Sequence, residues 1–116
     1  MSETPKTPVS IVLCTVPPEK AHSIASELVN AGLAACVNIL PVRSVYRWDG
    51  QVVDDGEELL IIKTTTATLA ELTEAILKIH PYEVPEIINL PVEGGFKGYM
   101  DWVAGAIHPG PEMEGE

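Results

Sequence analysis

Residues 34–64 read AACVNILPVRSVYRWDGQVVDDGEELLIIKT, and this stretch decides the fold. Ala34 to Ile39 begins a strand that Pro41 is expected to interrupt, because proline cannot donate to a sheet ladder. Val45-Tyr46-Arg47-Trp48 resumes it. Asp49-Gly50 then gives a strong short signal for a tight hairpin turn. Gln51 to Val53 starts the return strand, Asp54-Asp55-Gly56 predicts a bulge or excursion, and Glu58 to Thr64 completes it. Two strands this long form an arm that one small core cannot cover. Such an arm tends to be buried by a neighbouring subunit, so the chain is expected to work as a closed homo-oligomer.

Before the arm, Val9 to Val16 is β-branched and apolar on both alternating faces, which predicts a buried central strand. Pro17-Pro18 ends it, with Pro18 placed as the first residue of a helix. Ala21, Ile24, Ala25, Leu28 and Val29 recur at helical spacing, and Gly32 stops the helix where a left-handed residue is wanted. After the arm, Thr66 or Thr68 can cap a second helix, and Thr68 with Glu71 has capping-box spacing. Leu69, Leu72, Ile76 and Ile79 supply its apolar stripe. His80-Pro81 closes it, with the histidine near the negative end of the helix. Glu86 to Leu90 predicts a fourth strand, Gly94-Gly95 a flexible loop, and Tyr99 to Ile107 a final helix with Trp102, Val103 and Ile107 on its apolar side.

The resulting order, βα-ββ-αβ plus a terminal helix, is the split βαβ pattern: an α+β, ferredoxin-like sandwich with two helices on one face of a four-stranded antiparallel sheet. One such domain is expected over residues 9–108. Met1 to Pro8 reads as a disordered leader and Pro109 to Glu116 as a disordered acidic tail.

A hydrophobic fraction of 46% with 21% charged residues is globular composition. No apolar stretch reaches the roughly 18 residues that span a bilayer, so no membrane partner is expected. The polar start lacks an apolar signal core, and the expected location is the cytoplasm. Seventeen acidic against seven basic residues give a formal charge of −10, which argues against nucleic acid as a partner. An acidic field attracts cations, and it also serves solubility.

Phosphate-cradling glycine loops, paired CxxC, HExxH and GxSxG are all missing, against the common nucleotide hydrolases, zinc proteases and esterases. Cys14, late in the first strand, is either a soft metal ligand or a small buried hydrophobe. Cys36 carries the same alternatives. His80-Pro81-Tyr82-Glu83 sets an imidazole, a phenol and a carboxylate within four residues, enough to share a metal or to end a helix in a proline turn. Trp48, Tyr82 and Trp102 either line a pocket or pack a core. Lys63 ends a strand that reads as buried, as a counter-charge in a cleft or as a surface residue. Nothing orients Cys14 and His80 as nucleophile and base, so an enzyme is not expected.

Ala34 to Pro41, Ser44 to Gly50 and Lys63-Thr64-Thr65 resemble the CutA family of divalent-cation tolerance proteins. So do His80-Pro81-Tyr82-Glu83-Val84-Pro85-Glu86-Ile87 and Tyr99-Met100-Asp101-Trp102. The resemblance implies a trimer similar in architecture to the PII signalling proteins, with a role in tolerance to divalent metals, copper in particular, and no organic cofactor. Cys14 matches the family position implicated in copper binding, and Cys36 a second cysteine of some members. Some bacterial relatives carry a third cysteine in the second helix, a few residues before the His-Pro-Tyr block, a region where this chain has Ala75, so a three-thiolate site is not implied. The metal ligands expected are Cys14, His80 and Glu83. In the alternative, a PII-like signalling module, Cys36, Tyr46, Trp48, Lys63, Tyr82, Glu86 and Trp102 line an intersubunit cleft for a small effector.

Overall fold

The computed structural model describes residues 7–107. Strand β1 (Val9–Val16) leads through a 3-10 turn (Pro18–Lys20) into helix α1 (Ala21–Asn30). Strands β2 (Cys36–Trp48) and β3 (Gln51–Thr65) form the hairpin. A second 3-10 turn (Thr66–Thr68) enters α2 (Leu69–Ile79), followed by β4 (Ile88–Pro91) and α3 (Lys97–Ala106). The strands form one antiparallel sheet in the order β2-β3-β1-β4, the ferredoxin-like arrangement.

Strand alternation explains the core. Val12, Cys14 and Val16 of β1 and Leu60 and Ile62 of β3 meet Ile24, Leu28, Leu72 and Ile76 of α1 and α2 in one cluster. Burying each large aliphatic side chain there stabilises the fold by about 1.5–3 kcal/mol. A smaller cluster joins Val9, Ala35 and Val103 at the α3 end. Gly32, at φ 76°, ends α1 as its position predicts, and Asp49 (φ 54°) and Gly50 (φ 74°) make the hairpin turn.

Several local expectations are corrected. Pro41 does not interrupt β2, because β2 is an edge strand and the amide that proline lacks is not required of it. Asp54-Asp55-Gly56 forms no bulge: Val45, Ser44 and Arg43 pair with these three residues in the same register that joins Cys36 to Lys63 and Trp48 to Gln51. Thr68 makes no side-chain cap to α2, its hydroxyl being held by that of Thr65. The turn at Pro18 is 3-10, and α1 proper starts at Ala21. Val29 and Trp102 face outward at 41% and 50% exposure.

Of the expected leader and tail, residues 1–6 and 109–116 lie outside the described residues, as does residue 108. The Pro8 carbonyl accepts a hydrogen bond from the Thr66 amide at 2.9 Å, so the folded part includes residue 8.

Candidate functional site

The site grows from the point where α2 stops. Pro81 cannot continue the helix, and His80 takes an extended conformation as its C-cap. The imidazole then turns inward and is 8% exposed. Its Nε2–H donates to the Thr15 carbonyl at 2.8 Å, and its Nδ1 accepts the Tyr82 amide at 3.1 Å. Those two bonds define the tautomer and staple the loop after α2 to the end of β1. The Tyr82 ring lies 4.7 Å from the imidazole, and its hydroxyl donates to Glu57 Oε2 at 2.6 Å.

The loop, the end of β1 and the outer half of the arm thus line an open cleft of about 680 Å³. Tyr46, Trp48 and Tyr82 supply aromatic walls, with Val45, Pro81 and Val84 beside them. Glu57, Glu83 and Glu86 supply carboxylates, Thr15 and Ser44 the remaining polar lining. No lysine or arginine is among the lining residues. Glu57 is the buried member, at 5% exposure. Burial, the hydrogen bond to Glu57 and the charge of Glu57 together push the Tyr82 phenol well above its usual range. The Tyr46 hydroxyl donates to Asp55 at 2.9 Å, and this bond raises its pKa in the same direction.

Cys14 sits just behind the cleft, fully buried in the main core. Burial first, then the charges of Glu86 and Glu57, push its thiol up from 9.0 to about 12. Its Sγ lies 3.9 Å from the same Thr15 carbonyl that holds His80. Cys14, His80 and Glu83 therefore stand in one neighbourhood but not as a metal shell. The thiol is protonated and sealed, and both imidazole nitrogens are engaged. Glu83 is exposed on the cleft wall. Among the described residues no three of His, Cys, Asp and Glu converge as metal ligands. Within one subunit the residues do not fit a copper centre.

The expected cleft set divides. Tyr46, Trp48, Tyr82 and Glu86 line the cleft together. Cys36 and Lys63 are instead a cross-strand pair at the root of the arm. There the Lys63 ammonium donates to Asn38 Oδ1 and lies 4.0 Å from Cys36 Sγ. Tyr99 is beside them, its phenol raised by burial and by Cys36, and Trp102 stacks on Tyr99 with centroids 5.6 Å apart. Sequence reasoning missed Thr15, Ser44 and Glu57. The available signal for Glu57 was strand alternation carried back from Leu59 and Ile61.

A ferredoxin-like sheet with a projecting hairpin, and an acidic, aromatic cleft along the outer half of that hairpin, defines a PII-like fold. A solved structure from Nostoc, the PII-like protein CutA, superposes with a TM-score of 0.83 at 38% identity, covering 85% of this chain and 97% of that one. The chain belongs to the CutA1 divalent ion tolerance family, whose model matches residues 10–106. The divalent-cation tolerance protein CutA of Thermus thermophilus is 52% identical over 95 residues, 80% of this chain and 92% of that protein. The chloroplastic protein CutA of Arabidopsis thaliana is 49% identical over 106 residues, 89% of this chain. The chain spans 58% of that plant protein's length. No helix among the described residues is long and apolar enough to cross a membrane.

Proposed function

We propose that the protein is a homotrimeric binding module that takes a positively charged ligand in the acidic cleft, and that this binding underlies its part in divalent-ion tolerance. The observation that carries this reading is Glu57: a carboxylate more than nine-tenths buried, facing the cleft, with a neutral phenol as its hydrogen-bond donor and no cationic side chain lining the site. With no cationic side chain among the cleft-lining residues, a cation is the ligand these carboxylates favour. Val45 and Val52, each 65% exposed on the arm, support the trimer, with the cleft closed by a neighbouring subunit. Two free cysteines support a reducing, cytoplasmic setting. The sealed Cys14 thiol supports a binding rather than an enzymatic role.

Isothermal titration of Mg²⁺, Zn²⁺ and Cu²⁺ into the native oligomer, beside Glu57→Gln, tests the reading. Stoichiometric binding that the variant loses is expected. Weak binding without stoichiometry, unchanged in Glu57→Gln, would sink it.

Copper is the second reading, with Cys14 and His80, which lie against one carbonyl, joined by a ligand from a neighbouring subunit. It requires Cu(I) to displace the thiol proton and to free the imidazole from Thr15, so affinity should rise steeply with pH. An anaerobic Cu(I) titration unaffected by Cys14→Ser rejects it.

A further inference from the structure

The shape of the cleft says more about its ligand than the sign of its charge. A hydrated metal ion uses carboxylates, carbonyls and water, and has no use for aromatic walls. Here about 680 Å³ of space is walled by Tyr46, Trp48 and Tyr82, and the carboxylates are spread along it rather than gathered, since no three metal-capable side chains converge among the described residues. Glu57 Oε2 is taken by Tyr82. Its Oε1 accepts no hydrogen bond from the described residues, and no fully buried side-chain oxygen among them is left unpartnered, so Oε1 opens on the cleft. The site therefore offers one oriented acceptor at its buried end, two further carboxylates at Glu83 and Glu86, and aromatic faces between.

We propose that the cleft is built for an organic ammonium ion, with an N–H of its head donated to Glu57 Oε1 and its alkyl body laid against Trp48 and Tyr46. This rests on the reading of the cleft as a cation site and names the class of cation. The ammonium supplies the missing counter-charge and the missing donor together. Its alkyl chain covers apolar lining, and indole and phenol faces attract cations. A nucleotide or other phosphate meets three carboxylates and no lysine or arginine among the lining residues, and a neutral metabolite makes no use of their charge.

The test is isothermal titration of putrescine into the native oligomer at fixed ionic strength. Parallel titrations use the diol in which hydroxyls replace both amines, and Mg²⁺. Saturable binding of putrescine and none of the diol is expected. Glu57→Gln should weaken putrescine by about tenfold or more, since it removes the buried charge. Trp48→Leu should cost about three- to tenfold through the lost cation–π face. Glu86→Gln, a change at an exposed position, should weaken binding and flatten its salt dependence, and it answers the question if Glu57→Gln does not fold. Equal binding of diol and diamine overturns the proposal, because the cleft would then read shape and not charge. Binding of Mg²⁺ without putrescine overturns it while leaving the cation site standing. Binding of neither, with a neighbouring subunit already neutralising Glu57, overturns both.

Discussion

The root of the sheet and the outer half of its hairpin are made of the same alternating strands and reach opposite ends. At the root, Leu60 and Ile62 are fully buried beneath α1 and α2. Along the arm, Val45 and Val52 are 65% exposed and Trp48 44%. The arm is held by its backbone ladder and by surface pairs such as Arg43 with Asp54 at 2.9 Å. The root is folded by what this chain contains. The apolar side chains of the arm are left uncovered by this chain, which is what the proposed trimer would bury.

The contrast can be broken most directly in the core. Leu60→Ala should cost about 2–5 kcal/mol, whereas Val52→Ala should cost less than about 0.5 kcal/mol at concentrations too low for assembly. Urea unfolding of both variants checks this, and comparable losses would erase the distinction. Next in size, Val45→Asp combined with Val52→Asp should dissociate the oligomer while leaving the subunit folded. Sedimentation velocity with circular dichroism reads both; an oligomer that survives the pair means the arm is not its seam.

A smaller effect separates the two regions by pH. The Cys14 thiol loses its proton near 12 when folded and near 9.0 otherwise. The unfolded chain therefore binds fewer protons between these values, and stability present below about pH 9 drains away as pH rises toward 12. Cys14→Ala should lose less stability than the parent across that interval, measured by urea midpoints. Parallel decline would mean that the buried thiol is not responsible. The smallest change is expected for Arg43→Ala, about 0–1 kcal/mol and vanishing in high salt, because both partners of that ion pair are exposed.

What was legible in the sequence followed from short-range rules. Asp49-Gly50 must turn, Gly32 must end a helix, and Leu69 to Ile79 must bury one stripe. The order of elements was enough to give the sheet. Pro41 and Asp54-Asp55-Gly56 misled because their meaning depends on pairing: a proline breaks a central strand but rests on an edge, and an acidic triplet with glycine looks like a loop until its partner strand is known.

The site was half legible for the same reason. His80, Tyr82, Glu83 and Glu86 lie in one short run, and Tyr46 and Trp48 in another. Glu57 hides in a run of acids that resembles any solvated surface. Only Tyr82, 25 residues away, reveals it as a buried carboxylate. Cys36 and Lys63 share the sheet with the cleft residues, but alternation reports the face of a strand and not the distance along it.

The unbroken register of β2 and β3 has a mechanical meaning. A hinge needs a gap in the ladder, and from the Cys36–Lys63 pair to the Trp48–Gln51 pair there is none. The hairpin is one stiff ladder, with Glu57 opposite Val42 midway along it. A tilt of the strands at the root is carried, past Glu57 and the aromatic side chains of the cleft, to the Asp49-Gly50 tip.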